Sequence, residues 1–112
     1  MPGKVANFPE NRYIWNVKRA YIYIITNVNH TVLYTGVTSD LVARIRQHRT
    51  HQFGGFSARY ALSELIYYEV HPGIEAAIAR EKQIKSWRRE RKLQLIATQN
   101  PTWRNLFTEE DL

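Results

Sequence analysis

The sequence contains no cysteine, which excludes disulfides, thiolate metal sites and thiol catalysis together. Acidic residues are in the minority, ten against sixteen lysines and arginines, so the chain carries a net charge of +6. A basic excess of this kind favours a polyanionic partner, yet charge alone does not separate DNA from RNA or from an acidic protein. No apolar run approaches transmembrane length, and the N-terminus has lysine, proline and asparagine where a signal peptide needs an apolar core. These absences lead to the expectation of a cytoplasmic protein with no membrane partner. Glycine and proline are sparse, and internal repeats and low-complexity segments are lacking. With 44% hydrophobic and 12% aromatic residues the composition is that of a folded chain, and 112 residues suit one domain with a core of its own.

Residues 1–19 contain Pro2, Gly3, Pro9 and Asn11 without sustained periodicity, and read as an N-terminal extension that packs on a domain spanning residues 20–112. Ala20 to Thr26 is rich in β-branched and aromatic residues and reads as a strand, with Tyr21 and Tyr23 on one face and Ile22 and Ile24 on the other. A polar turn, Asn27 to Thr31, leads into a second strand from Val32 to Thr35, which Gly36 breaks. The hairpin lets Tyr23 and Tyr34 meet on one sheet face. Thr38, Ser39 and Asp40 supply N-cap chemistry for a helix with Leu41, Val42 and Ile45 as its apolar stripe. Arg44 and His48, one turn apart, run along one edge of that stripe.

Thr50 to Ala61 has no clear period and carries His51, Arg59 and Tyr60 beside this region; it is either a DNA-contacting loop or a solvated connector. Leu62 to Val70 reads as a third strand, ended by Pro72-Gly73. A helix from Ile74 to Trp87 follows, with Ile74, Ala77, Ile78 and Ile84 as its stripe and Glu81 in the middle of it. A second helical piece, Trp87 to Ala97, presents Arg88, Arg89, Arg91 and Lys92 and stops at Asn100-Pro101. Trp103, Leu106 and Phe107 are expected to fold back before an acidic tail. The fold class is therefore α/β: a small, three-stranded, largely antiparallel sheet flanked by helices, in the order ββαβαα.

Two tyrosine triplets stand out, Tyr21-Ile22-Tyr23 and, eleven residues on, Tyr34-Thr35-Gly36. The pair resembles the signature triplets of the GIY-YIG endonuclease family, with Tyr21 in place of the first glycine and Thr35 in place of the second isoleucine. Arg44 and His48 stand at the spacing where that family carries its active-site arginine and histidine. Ala77 to Trp87, the run W-R-R-E-R-K-x-x-L-I and N-P-x-W are similar to the small single-domain, UPF0213-like bacterial members. The resemblance covers about Ala20 to Leu106.

It implies metal-dependent hydrolysis of DNA phosphodiester bonds, structure-selective or non-specific, in the setting of DNA repair or recombination. In the roles it assigns, Tyr34 is the general base, Tyr23 its partner in ordering water and phosphate, and Arg44 the cation on the scissile phosphate. His48 hydrogen-bonds or relays for Tyr34, and Glu81 is the ligand of magnesium or manganese. Asn100 resembles a late asparagine that some members place near the site. Arg59, Tyr60, Lys85, Arg88, Arg89 and Lys92 are candidates for DNA contact.

The residues by themselves leave alternatives open. Glu81 on a core-facing stripe must be paired or metal-bound, and it could simply neutralise Arg44, Arg80 or Lys85. Both tyrosines could be half-buried strand residues satisfied by neighbours. Arg88 to Lys92 could be a solvated helix face, and Asn100 an ordinary helix stop. A non-catalytic nucleic-acid-binding module would keep the basic faces and lose a site residue. A protein-interaction scaffold would need an exposed apolar patch, for which Tyr13 to Val17 and Trp103 to Phe107 are the candidates.

Overall fold

The structure is a computed structural model that describes residues 19–50 and 59–108. The N-terminal extension, His51 and the acidic tail lie outside the described residues. Three strands, β1 (Ala20–Thr26), β2 (Leu33–Thr38) and β3 (Glu64–His71), form one antiparallel sheet in the order β2-β1-β3. Three helices lie wholly among the described residues, α1 (Leu41–Arg49), α2 (Ile74–Lys85) and α3 (Arg89–Gln99), and with the strands they run in the order ββαβαα.

Because β1 is the middle strand, both of its faces are covered, which explains why it reads as a nearly unbroken apolar run. Ala20, Ile22 and Ile24 face α2 and α3, in a cluster with Tyr67, Ala77, Ile84 and Ile96. Tyr23 and Ile25 face α1, in a second cluster with Ile45, Leu62, Leu65 and Phe107. A register shift in the β1–β3 pairing between Ile24 and Ile25 leaves both Ile66 and Tyr67 in the first cluster.

The turn between β1 and β2 is closed by Asn27, whose side-chain oxygen accepts from the Thr31 and Val32 backbone N–H groups at 2.9 and 3.0 Å. At its apex His30 takes a positive φ of 59°. That conformation is unusual for a side chain with a Cβ and is held by the Trp103 ring, 5.0 Å away, and by Glu64 at 3.3 Å.

Two expectations are corrected, and a third, that Trp103, Leu106 and Phe107 fold back, is met against the alternative of an exposed patch. Gly36 does not break β2: the strand continues through it to Thr38, and Gly36 pairs with Tyr23. The apolar stripes are narrower than the sequence suggests, since Val42, Ile74 and Ile78 are exposed while Ile45, Ala77 and Ile84 are buried. A small sheet covers a narrower arc of each helix than a larger core would. Finally, Trp103 to Phe107 is not an exposed patch. Phe107 is buried against Tyr23's cluster and Trp103 packs on the opposite one, so the segment crosses the outer edge of β3. There Gln99, Asn105 and the Leu106 N–H bond to the β3 backbone at Tyr68 and Leu65, which closes an edge that would otherwise be open for pairing.

The pairing of Gly36 with Tyr23 yields a direct prediction. A Cβ built on Gly36 would run into the Tyr23 ring and hydroxyl, which cannot swing aside because the side chain is fully buried. Gly36→Ala is expected to destabilise the fold by about 1–3 kcal/mol, as overpacking does. Denaturant melts of the two proteins measure it; an unchanged midpoint would show that the ring can move.

Candidate active site

The hairpin and α1 bring three rings together. Tyr23 and Tyr34 lie on the α1 side of neighbouring strands, with ring centroids 6.3 Å apart. Asp40 caps α1, its carboxylate accepting from the Ala43 N–H at 3.1 Å, while the Thr38 hydroxyl accepts from the Asp40 N–H at 3.0 Å. This fixes the start of the helix at the end of β2. Ile45 then anchors α1 in the core, and the same face carries His48 in one turn further. The His48 ring lies 5.6 Å from that of Tyr23 and 5.5 Å from that of Tyr34.

The Tyr23 hydroxyl and His48 Nε2 are 3.0 Å apart in a buried hydrogen bond. Burial pushes the Tyr23 hydroxyl up to about 12, against the lowering effect of Arg44, which hydrogen-bonds the same group. Tyr34 and the Glu81 carboxylate add to the rise. Burial also lowers His48 to about 4, helped by the Arg44 charge. At neutral pH Tyr23 is thus protonated and His48 is neutral. Arg44 can only donate, so it occupies one lone pair of the tyrosine oxygen. The sequence puts His48 beside Tyr34; the geometry adds the hydrogen bond to Tyr23, and Tyr23 rather than Tyr34 is the fully buried member of the pair.

Glu81 reaches this group from α2, on the other side of the sheet. Arg80 and Glu81 flank the buried stripe of Ala77 and Ile84 to either side, so neighbouring residues point to different partners. Arg80 turns to β3, where its guanidinium donates to both oxygens of Glu69 at 2.9–3.2 Å. Tyr67 donates to the same carboxylate at 2.6 Å, and His71 Nε2 lies 2.8 Å from it. Burial would push the Glu69 carboxyl up, but the hydrogen bonds from Arg80, Tyr67 and His71 outweigh it and hold the group near 2. This clamp was not found by sequence reasoning. Its signal was present: Tyr67, Glu69 and His71 alternate along one face of a strand.

Glu81 itself pairs with Lys85 at 3.0 Å, its side chain 15% exposed against 50% for the lysine. The Lys85 Nζ lies 6.0 Å from the centre of the Tyr34 ring. Of the three cations considered for Glu81, the structure shows Lys85, while Arg80 is taken by Glu69. Among the described residues no three His, Asp or Glu side chains converge in a way that could hold a metal. A divalent ion here would take a single carboxylate, as magnesium often does when water and substrate phosphate supply the remaining oxygens. The Glu81 carboxylate fits that role in one respect visible here, since an ammonium already occupies a position beside it.

The remaining candidates are more dispersed. Arg59 and Tyr60 are exposed, with the guanidinium 5.5 Å from the Tyr60 ring centre. Arg88 is exposed at the start of α3, Lys92 is partly covered, and Arg89 donates to the His30 carbonyl at 3.3 Å. Arg91 stacks on Trp87 at 4.1 Å. The Asn100 side chain is buried and committed to backbone, donating to Ile66 and Arg104 carbonyls and accepting from the Arg104 N–H.

With this geometry in hand, comparison with known proteins places the chain. Residues 19–94 match the GIY-YIG catalytic domain, and the chain belongs to the GIY-YIG family, whose domain is that of nucleases. It is 40% identical over 90 residues to a UPF0213 protein of Streptococcus pyogenes, covering 79% of this chain and 96% of that one. A UPF0213 protein of Haloquadratum walsbyi is 35% identical over 75 residues, covering 67% of this chain and 83% of the relative. The solution structure of a UPF0213 protein from Bacillus halodurans superposes with a TM-score of 0.51 at 25% identity, covering 81% of this chain and 97% of the other. No helix among the described residues is long and apolar enough to cross a membrane.

The burial of His48 beside Arg44 makes stability depend on pH. The unfolded chain protonates His48 near its ordinary 6.5 and the folded protein only near 4, so between these values the unfolded state binds more protons. The contribution is complete above pH 6.5 and is lost as the pH falls towards 4. The expected loss is roughly 2–3 kcal/mol, and His48→Gln should flatten this part of the profile. Melting temperatures across this window check it. A profile that moves only below pH 4 would implicate carboxylates such as Glu69 instead.

Proposed function

We propose that this protein is a metal-dependent endonuclease that hydrolyses DNA phosphodiester bonds. The observation that carries the reading is the convergence of Tyr23, Tyr34, Arg44 and His48 from the hairpin and α1, with Glu81 of α2 paired to Lys85, whose ammonium lies 6.0 Å from the Tyr34 ring centre. Phosphodiester hydrolysis needs charge neutralisation, activation of water and a cation on the phosphate. Glu81 would hold magnesium or manganese, which supplies the first of these.

The two tyrosines then divide the remaining work. Tyr23 is fully buried and hydrogen-bonded to His48, and its raised hydroxyl keeps its proton at neutral pH, so it orients rather than abstracts. Tyr34 is only half-buried and has a cation over its ring; as the phenolate, its own proton having gone to solvent, it would take a proton from an attacking water. Arg44, permanently charged and planar, is matched to the phosphate as negative charge builds on its oxygens. His48, neutral at physiological pH, holds the Tyr23 hydroxyl in place through their hydrogen bond.

Outside this group the basic residues Arg59, Lys85, Arg88, Arg89 and Lys92, together with Tyr60, would meet the DNA backbone. Contacts of that type hold a duplex without reading its bases, so cleavage would be structure-selective or non-specific. Such an activity suits repair or recombination in the cytoplasm.

Glu81→Gln is the principal test. Lys85 is half-exposed and can hydrate when its partner loses charge, so the variant should stay folded with stability within about 1 kcal/mol of the parent. Cleavage of plasmid or branched DNA in magnesium should be abolished, with DNA affinity kept or slightly raised. Retained cleavage in the folded variant would overturn the assignment of Glu81. A non-catalytic binding module would show DNA affinity with no cleavage by either protein. Tyr34→Phe should likewise lose at least about a hundredfold in rate with the fold intact. Wild-type turnover by that variant would move the base elsewhere.

A further inference from the structure

The ion pair between Lys85 and Glu81 reaches into the proposed site. A surface i,i+4 pair joins two solvated groups, whereas here the carboxylate is largely withdrawn from water and the lysine side chain is half in it. The ammonium also lies 6.0 Å from the centre of the Tyr34 ring. Lys85 thus touches both the group proposed to hold the metal and the group proposed to activate water. It is the cation that neutralises Glu81 in the free protein.

We infer that Lys85 is a tethered competitor for the cation position on Glu81, and that once displaced it becomes a ligand for the substrate phosphate. This rests on the reading of Glu81 as the metal ligand. An ammonium 3.0 Å from a carboxylate oxygen and a divalent ion on the same carboxylate repel each other strongly at such range. Lys85 must therefore give up Glu81 when the ion binds. Its flexible four-carbon stem and half-exposed head let it leave without a desolvation cost. After leaving, it remains tethered beside Tyr34, where a bound phosphate is the available anion.

Two consequences follow from this exchange. The free protein binds divalent ions weakly, because each binding event breaks the Lys85–Glu81 pair. Phosphate offers the ammonium a replacement partner, so ion and DNA each tighten the other by the same factor, as linkage requires.

The test is titration of manganese, followed by its electron paramagnetic resonance signal, in the presence and absence of a duplex whose phosphorothioate linkages resist cleavage. Lys85→Met keeps the apolar stem and removes the charge. It should bind manganese about tenfold more tightly than the wild type without DNA, and DNA should then add less than about twofold, against about tenfold for the wild type. Lys85→Arg, which can still pair with Glu81, should behave like the parent. Lys85→Gln gives a second neutral variant if the methionine protein melts early. Glu81→Gln separates the two levels of the argument. If it loses manganese binding while both neutral Lys85 variants bind no more tightly than the parent, the competitor role is overturned and the Glu81 reading stands. If it binds manganese like the parent, the Glu81 reading fails and the role of Lys85 with it.

Discussion

A phenolic hydroxyl withdrawn from water must find partners inside the protein, at a cost of roughly 1–3 kcal/mol if it does not. The Tyr23 hydroxyl is such a group, and the architecture around it follows from the need to satisfy it. Gly36 opposite leaves room for the ring, and α1 supplies the partners His48 and Arg44. Asp40 and Thr38 hold the start of that helix against the end of β2, and Ile45 and Phe107 close the apolar surround. Among the described residues no buried polar side-chain atom is left without a partner.

The opposite side of the sheet is arranged by a different principle. Here α2 is steered by charge placed on both flanks of a narrow apolar stripe. The forked contact of Arg80 with Glu69 is the stronger flank, since it is bidentate, partly buried and supplemented by Tyr67 and His71. Arg80 also lies under Trp87, which Arg91 covers at closer range, so the junction between α2 and α3 is bound into the same arrangement. With α2 fixed at Arg80, the rotation of the next residue is fixed as well. Glu81 is delivered to the β2 side of the molecule without making a strong bond of its own to the sheet.

Much of the architecture was legible in the sequence. The β-branched and aromatic run of β1, the capping residues before α1 and the two tyrosine triplets determine the element order and bring Tyr23, Tyr34 and His48 to one place. Local signals sufficed there because hairpin register and helical spacing are local properties. What the sequence hid were non-local properties. Gly36 reads as a strand breaker by composition, yet it is a strand residue because of a ring on the neighbouring strand. Ile74 and Ile78 read as core, yet the sheet is too small to reach them. Asn100 reads either as a helix stop or as a site residue, and its amide is spent on the backbone of β3 and of the C-terminal segment. Glu69 and Arg80 lie eleven residues apart in two elements, and no periodicity couples them.

The C-terminal segment shows what this economy entails for folding. Phe107, nearly the last described residue, fills the cluster that surrounds Tyr23, the fourth residue of the first strand. A nascent chain therefore cannot complete that cluster until Phe107 has left the ribosome and the segment before it has crossed the β3 edge. Synthesis thus leaves that cluster open long after its first strand has been made. A fragment that stops short of Phe107 would lack one wall of the apolar surround in which the Tyr23 hydroxyl finds its partners.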